Sequence, residues 1–133
     1  MRKVFLLMLL AVVSSNAMAK WTLSNHSSDG NIAIYANLDS IHKTDAGVKI
    51  WTMLDYKKIQ KTPSGKQQYK SVVLEKEYGC KEQIMRIMTV TSYSKNMGAG
   101  KVIEAITSKS ALWKPVIPDT LEEDLMNIAC GRE

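Results

Sequence analysis

At 133 residues, with a formal charge of +5 and neither internal repeats nor a low-complexity stretch, the chain is sized for one compact domain. Its beginning then changes the charge count. Arg2 and Lys3 precede an apolar run from Val4 to Val13 and an Ala17-Met18-Ala19 site, the pattern of a secretory signal peptide over residues 1–19. That run is shorter than the about 20 residues a membrane span needs, and no later segment comes close. Without Arg2 and Lys3 the charge falls from +5 to +3, so residues 20–133 form a mildly basic domain. The expected location is periplasmic or secreted, which excludes nucleic acid as a natural partner and leaves anionic glycans, acidic proteins or lipid headgroups. The residue after the cleavage site is Lys20, not cysteine, so no lipid anchor is expected.

In chain order, Lys20 to His26 alternates loosely and is followed by the turn-forming Ser27-Ser28-Asp29-Gly30-Asn31 and a strand from Ile32 to Leu38, a candidate hairpin. Residues 39–47 read as a loop closed by Asp45-Ala46-Gly47. Residues 48–56 alternate, with Val48, Ile50, Thr52, Leu54 and Tyr56 on one face and Lys49, Trp51, Met53 and Asp55 on the other. Both faces are partly apolar, which suits a central strand. The turn Thr62-Pro63-Ser64-Gly65 joins this strand to residues 69–80, where Val72, Leu74, Tyr78 and Cys80 share a face with Lys76. A further β-rich run, Gln83 to Tyr93, is expected to set Met85, Ile87, Thr89, Thr91 and Tyr93 against Ile84, Arg86, Met88 and Val90. The turn at residues 95–100 leads into a short strand at 101–107.

The end of the chain changes period. Thr120 with Glu123 three residues on is a capping box, and Pro118 stops a helix from starting earlier. Leu121, Leu125 and Ile128 then fall on one helical face, and Gly131 can close the C-terminus. The fold class is α+β: an antiparallel β-sheet meander of about six strands with a C-terminal helix packed on it.

Both cysteines, Cys80 and Cys130, lie in the exported part, and an even count there favours a disulfide. There is no C-x-x-C redox motif, and His26 and His42 have no ligand spacing to either cysteine, so no metal and no cofactor is expected. A Cys80–Cys130 bridge would tie the end of the helix to the sheet. Closing a loop of about 50 residues is worth roughly 4 kcal/mol in the chain-entropy account.

The succession of Trp51 in a strand, the segment from Tyr69 to Cys80, the turn Gly98-Ala99-Gly100, Trp113 before Pro118-Asp119-Thr120, and a terminal helix ending at Cys130 resembles the bacterial surface-adhesin E family. The resemblance runs from about Trp21 to Cys130. It implies a six-stranded antiparallel sheet with a helix held on it by one disulfide. In the family's type member it also implies a homodimer that binds host vitronectin and laminin. The vitronectin-binding stretch begins at a basic pair and runs past the first cysteine. The matching positions are Lys66, Lys70, Lys76, Lys81 and Arg86, with Gln67 in place of the pair's second basic residue. The type member carries a lipid-bearing cysteine that has no counterpart here.

Read from the residues alone, Lys57, Lys58, Lys61, Lys66 and Lys70, with no acid between them, make a basic hairpin tip suited to sulfated glycans or an acidic partner. Lysines of this kind also keep edge strands from pairing with other chains. The run Met97 to Lys101 fails as a phosphate loop: position 95 is Lys where the first Gly belongs, and Val102 stands where Ser or Thr is needed. A tight turn explains it better. His42 near Asp39 and Asp45 reads as a solvated loop histidine. Asn25 opens a glycosylation sequon that carries little meaning behind a bacterial export signal. Trp51 and Trp113 read as core or inter-layer packing. No Ser, His and Asp arrangement has a recognisable local context, so no enzyme is expected. The reading is an exported adhesin-type binding protein; the rivals are a periplasmic envelope-maintenance or inhibitor protein and, least supported, a hydrolase.

Overall fold

The computed structural model describes residues 20–108 and 110–131; the expected signal peptide and its cleavage site lie outside the described residues. The strands are β1 (Trp21–His26), β2 (Ile32–Lys43), β3 (Val48–Lys61), β4 (Gln68–Gly79), β5 (Ile84–Tyr93), β6 (Val102–Thr107) and the two-residue β7 (Lys114–Pro115). Among the described residues a 3-10 turn, Asn96–Gly98, joins β5 to β6, and a helix, α1 (Leu121–Ala129), follows β7. The strands β1 to β6 pair in sequence order, each antiparallel to the last, while β7 pairs with the start of β5. The expected six-stranded meander with its terminal helix is therefore the fold, with β7 as an addition.

One face of the sheet is covered by α1. Ile34 and Ala36 of β2, Ile50 of β3, Tyr78 of β4 and Met85 of β5 pack with Val116 and with Leu125, Met126 and Ala129 of the helix. Ile50 and Tyr78 are completely excluded from solvent, which is what two central strands beneath a helix should do. Leu121 and Ile128 pack at the margin of this core, as their spacing with Leu125 requires. Thr120 caps the helix by accepting from the Glu123 amide at 3.3 Å. The return contact is displaced by one residue, since the Glu123 carboxylate accepts from the Asp119 amide at 3.4 Å. The bridge between Cys80 and Cys130 joins the β4–β5 turn to the end of α1, with Cα atoms 5.9 Å apart.

Three expectations are corrected. Residues 39–43, expected as a loop, extend β2, because the register shifts between Asn37 and His42 and lets the strand resume. At that irregularity the Ser40 hydroxyl donates to the Asn37 carbonyl and accepts from the Trp51 amide, replacing the lost ladder bonds. The alternation expected along β5 also breaks. Glu75 pairs with Thr89 but Lys76 with Ile87, so Met88 is an extra residue. One inserted residue reverses side-chain parity. Met85 and Ile87 therefore share the helix-side face with Tyr78 and Lys76, while Val90 and Ser92 take over that face beyond the bulge, and Thr89, Thr91 and Tyr93 belong to the other face. The third correction concerns Trp51 and Trp113. Both are half-buried and outside the helix-side core; Trp51 lies on the face opposite α1, and Trp113 lies under the guanidinium of Arg86, 4.4 Å from its ring centre.

Candidate functional site

In a meander, alternate turns gather at the same end of the sheet. The β1–β2, β3–β4 and β5–β6 turns therefore lie together, and the β2–β3 and β4–β5 turns, with the disulfide, lie at the other. The lysine-bearing hairpin belongs to the first group. Lys61 pairs with Gln68 and Gln60 with Tyr69, so β3 and β4 run on as a two-stranded ribbon past an irregularity after Asp55. Its base is stiffened by an edge-to-face contact of Tyr56 and Tyr69, whose ring centres are 6.0 Å apart. Burial, and then the neighbouring Tyr69, push the Tyr56 phenol above its ordinary range. Lys57, Lys58, Lys61 and Lys66 are exposed and Lys70 is half-buried.

The β1–β2 turn leans on this ribbon: the Lys57 amide donates to the Asn31 carbonyl at 2.9 Å and the Lys58 amide to the Asn31 side chain at 3.1 Å. Asp29 is the acid of this turn. The Ser27 hydroxyl, the Asn31 amide and, more weakly, the charge of Lys58 hold its carboxyl below the usual range.

The β5–β6 turn is fastened to the same ribbon from the other side. Asp55 accepts from the Asn96 side chain at 3.0 Å and from the Met97 amide at 2.9 Å, and Asn96 also donates to the Tyr56 carbonyl at 2.8 Å. The Ser71 hydroxyl donates to the Lys95 carbonyl at 2.6 Å and accepts from the Gly98 amide at 2.9 Å. Gly100 is required for this turn: its φ is +82°, and a Cβ there would lie 2.2 Å from the Ser94 hydroxyl. The Gly-x-Gly is thus turn chemistry, as expected; the Lys95 carbonyl is bound by Ser71 and the Lys101 amide by Ser94, so exposed Lys95 and Lys101 lie at the same end of the sheet as Lys70, whose side chain leaves β4 on the opposite face from Ser71. Sequence reasoning missed these two lysines, because 25 residues separate Lys70 from Lys95; the meander order was the signal that could have found them.

The remaining basic residues taken from the family resemblance are dispersed. Lys76 is 6% exposed, beneath the helix. Its ammonium lies 2.9 and 3.1 Å from the two carboxylate oxygens of Glu122 on α1. The Tyr78 hydroxyl donates to the same carboxylate, and burial, followed by that charge, drives the Tyr78 phenol far above its ordinary range. Arg86 lies on the face opposite the helix, where it donates to Glu77 at 2.7 Å and covers Trp113. Glu77 is 2% exposed. Burial raises its pKa, but hydrogen bonds from Thr44 and Arg86, with the Arg86 charge, outweigh that and hold it below the usual carboxylate range. Lys81 is exposed at the far end of the sheet, next to Cys80. Of the seven named basic positions, Lys58, Lys61, Lys66 and Lys70 lie together, and Lys76, Lys81 and Arg86 do not join them.

A second feature is a cleft of about 610 Å³ between the β1–β2 turn and the start of α1, lined by His26, Ser28, Asp119, Thr120, Glu123 and Asp124. Asp124 is engaged there, accepting from Asn25 at 3.1 Å. Among the described residues, no group of three or more His, Cys, Asp or Glu is placed to hold a metal ion.

An antiparallel meander with a tethered helix, lysines gathered at one end, is the architecture of a small disulfide-tied α+β domain. The sequence pattern of the family described as surface-adhesin protein E matches residues 21–131, and the chain belongs to that family. The family is one of surface adhesins and not of enzymes. Solved structures of protein E from Haemophilus influenzae share the fold. The selenomethionine form is 17% identical, with a TM-score of 0.59 over 84% of this chain and 85% of that one. A second structure of the protein is 19% identical, with a TM-score of 0.59 over 84% of this chain and 83% of that one. Crystal form II is 18% identical, with a TM-score of 0.58 over 81% and 91% of the two chains. No curated protein matches this sequence.

Proposed function

We propose that this chain is an exported adhesin-type binding protein whose targets are components of the host extracellular matrix, vitronectin and laminin being the first to test. Residues 1–19 direct its export and residues 20–133 form the binding domain, a homodimer by resemblance to the family's type member. Its contact surface is the basic end of the sheet. The observation that carries this reading is the convergence of exposed lysines from separate hairpins on one end of a scaffold of the surface-adhesin family. Binding of the purified domain to immobilised vitronectin and laminin, set beside protease accessibility of the protein on intact cells, tests it. Saturable binding together with cleavage on intact cells is expected. Failure to bind either protein, or complete protection from protease, would overturn the reading. N-terminal sequencing of the exported form should begin at Lys20, and light scattering should give the mass of two chains.

A further inference from the structure

We infer that the turns of two neighbouring hairpins, β3–β4 and β5–β6, form one site for a linear polyanion, a sulfated glycan chain of the kind that matrix proteoglycans carry. The inference rests on the reading above that the basic end is the contact surface, and it names the chemistry recognised there. Three observations support it.

The first is the extent of the cationic surface. Lys66 lies five residues from Ser71, a span of up to about 17 Å at the rise of a β-strand. Lys61 and Lys70 belong to that ribbon, and exposed Lys95 and Lys101 stand in the turn fastened to its base, where Ser71 binds the Lys95 carbonyl and Ser94 the Lys101 amide. A single phosphate or carboxylate could engage one or two of these ammonium groups, whereas a chain with repeating anions could lie along all of them.

The second is what accompanies the charge. No acidic residue occurs between Lys57 and Lys70. The acids nearby are peripheral or engaged: Asp29 lies by Lys58, Asp55 is bound by Asn96 and Met97, and Glu104 pairs with Ser92 farther along β6. The ribbon's one exposed large hydrophobic residue among those described is Ile59, 55% exposed. The centre of a protein–protein interface is apolar or aromatic and its rim charged, so what this end offers a matrix component is charge. A hydrophilic, charge-dense polymer needs no apolar centre, since its affinity comes from ion release around the contacted anions.

The third is that the arrangement is fixed before any ligand arrives. Asp55 and Ser71, on β3 and β4, each make two hydrogen bonds to the β5–β6 turn, so the backbone that carries Lys95 is set against the lysine ribbon by the fold.

The test measures binding of the full exported domain to heparin across a salt series, with a heparin octasaccharide, a heparin disaccharide and inorganic phosphate as competitors. Three double variants remove the same charge: Lys61→Gln with Lys66→Gln at the ribbon tip, Lys95→Gln with Lys101→Gln at its base, and Lys43→Gln with Lys81→Gln at the opposite end. The octasaccharide should compete and the disaccharide and phosphate should not. The tip and base variants should each weaken binding about tenfold at low salt and flatten the slope of log K against log salt by about two. The opposite-end variant should stay within about twofold of the parent, as a change in net charge alone would predict for a remote site.

Equal losses in all three variants would reduce the effect to net charge and overturn the site. Full binding by the base variant would overturn the claim that two turns act together, and phosphate competing as well as the octasaccharide would replace the polymer with a single-anion pocket. Anionic phospholipid vesicles that bind and are not displaced by the octasaccharide would assign the lysines to a membrane surface instead. Vitronectin or laminin binding by a domain that does not bind heparin would overturn this inference and leave the proposed function standing; heparin binding without either protein would do the reverse.

Discussion

The carboxylate of Glu122, in the first turn of α1, is held by the ammonium of Lys76 and the hydroxyl of Tyr78, two residues of β4 that point to the same side of the sheet. A helix of only nine residues thus has a polar anchor near its start and a covalent one, Cys130, just past its end. Isolated helices this short are marginal, so these two anchors and the apolar face between them account for its docking.

The polar anchor can be tested by removing one partner at a time. Glu122→Ala would leave Lys76 charged and 6% exposed with no counter-ion. Breaking a fully buried pair costs about 3–5 kcal/mol, and the partial exposure of Glu122 brings the expected loss to about 2–3 kcal/mol. Tyr78→Phe should cost about 1.5–3 kcal/mol, the range for a hydrogen bond to a charged group. The double change of Lys76→Met with Glu122→Leu should be less damaging than Glu122→Ala alone, because no charge is stranded. Urea unfolding of the set measures this, and a harmless Glu122→Ala would mean the pair does not hold the helix.

For the covalent anchor, Cys80→Ser and Cys130→Ser should lose similar stability, about 2–5 kcal/mol. The double mutant should be no worse than either single one, since each removes the same link. Titration of the exported protein without reductant should find no free thiol, and mass spectrometry showing two reduced cysteines would contradict the pairing.

Acid sensitivity should come in part from Glu77. Its folded pKa is depressed, so its contribution is fully present above the ordinary Glu value of about 4.3 and is lost as pH falls through the lower folded value. Acid unfolding of Glu77→Gln should therefore differ least from the parent at low pH and most near neutrality, where the parent retains the full contribution. A stability difference that stays constant from neutral to acid pH would show that the charge of Glu77 is not what stabilises that face.

How much of this could be seen in the sequence depended on whether the signal was local. The meander, the capped helix and the disulfide were legible because alternation, turn residues, an N-cap and an even cysteine count are each written in a short stretch. The strand after Asn37 and the bulge at Met88 were not, because a register shift is decided by the neighbouring strand and leaves the composition of its own strand unchanged. Lys76 illustrates the same limit at the candidate site. Alternation sets it on the face of Val72, Leu74, Tyr78 and Cys80 while the family resemblance makes it a contact residue, and only the helix placed over β4, with Glu122 beside the ammonium, shows it to be an interior ion pair. Conversely, Lys95 and Lys101 look like isolated turn residues until Ser71 and Asp55 fix their turn against the lysine ribbon.

That fixing yields a prediction about binding in which no charge is altered. Asn96 donates to both the Asp55 carboxylate and the Tyr56 carbonyl, so Asn96→Ala should loosen the β5–β6 turn while every lysine remains. If the basic end works as a preorganised surface, this variant should bind heparin several-fold more weakly, with the same salt slope, because the number of contacted anions is unchanged while ordering the turn now opposes binding. Ser71→Ala should act in the same direction, since it removes the hydrogen bonds to the Lys95 carbonyl and the Gly98 amide. Both variants should still unfold cooperatively, as the helix-side core of Ile50, Tyr78, Met85 and Leu125 is not touched. Unchanged affinity in both would show that the lysines act through flexible side chains on a turn whose position does not matter. A reduced salt slope would show instead that the turn had moved far enough to take Lys95 and Lys101 out of contact.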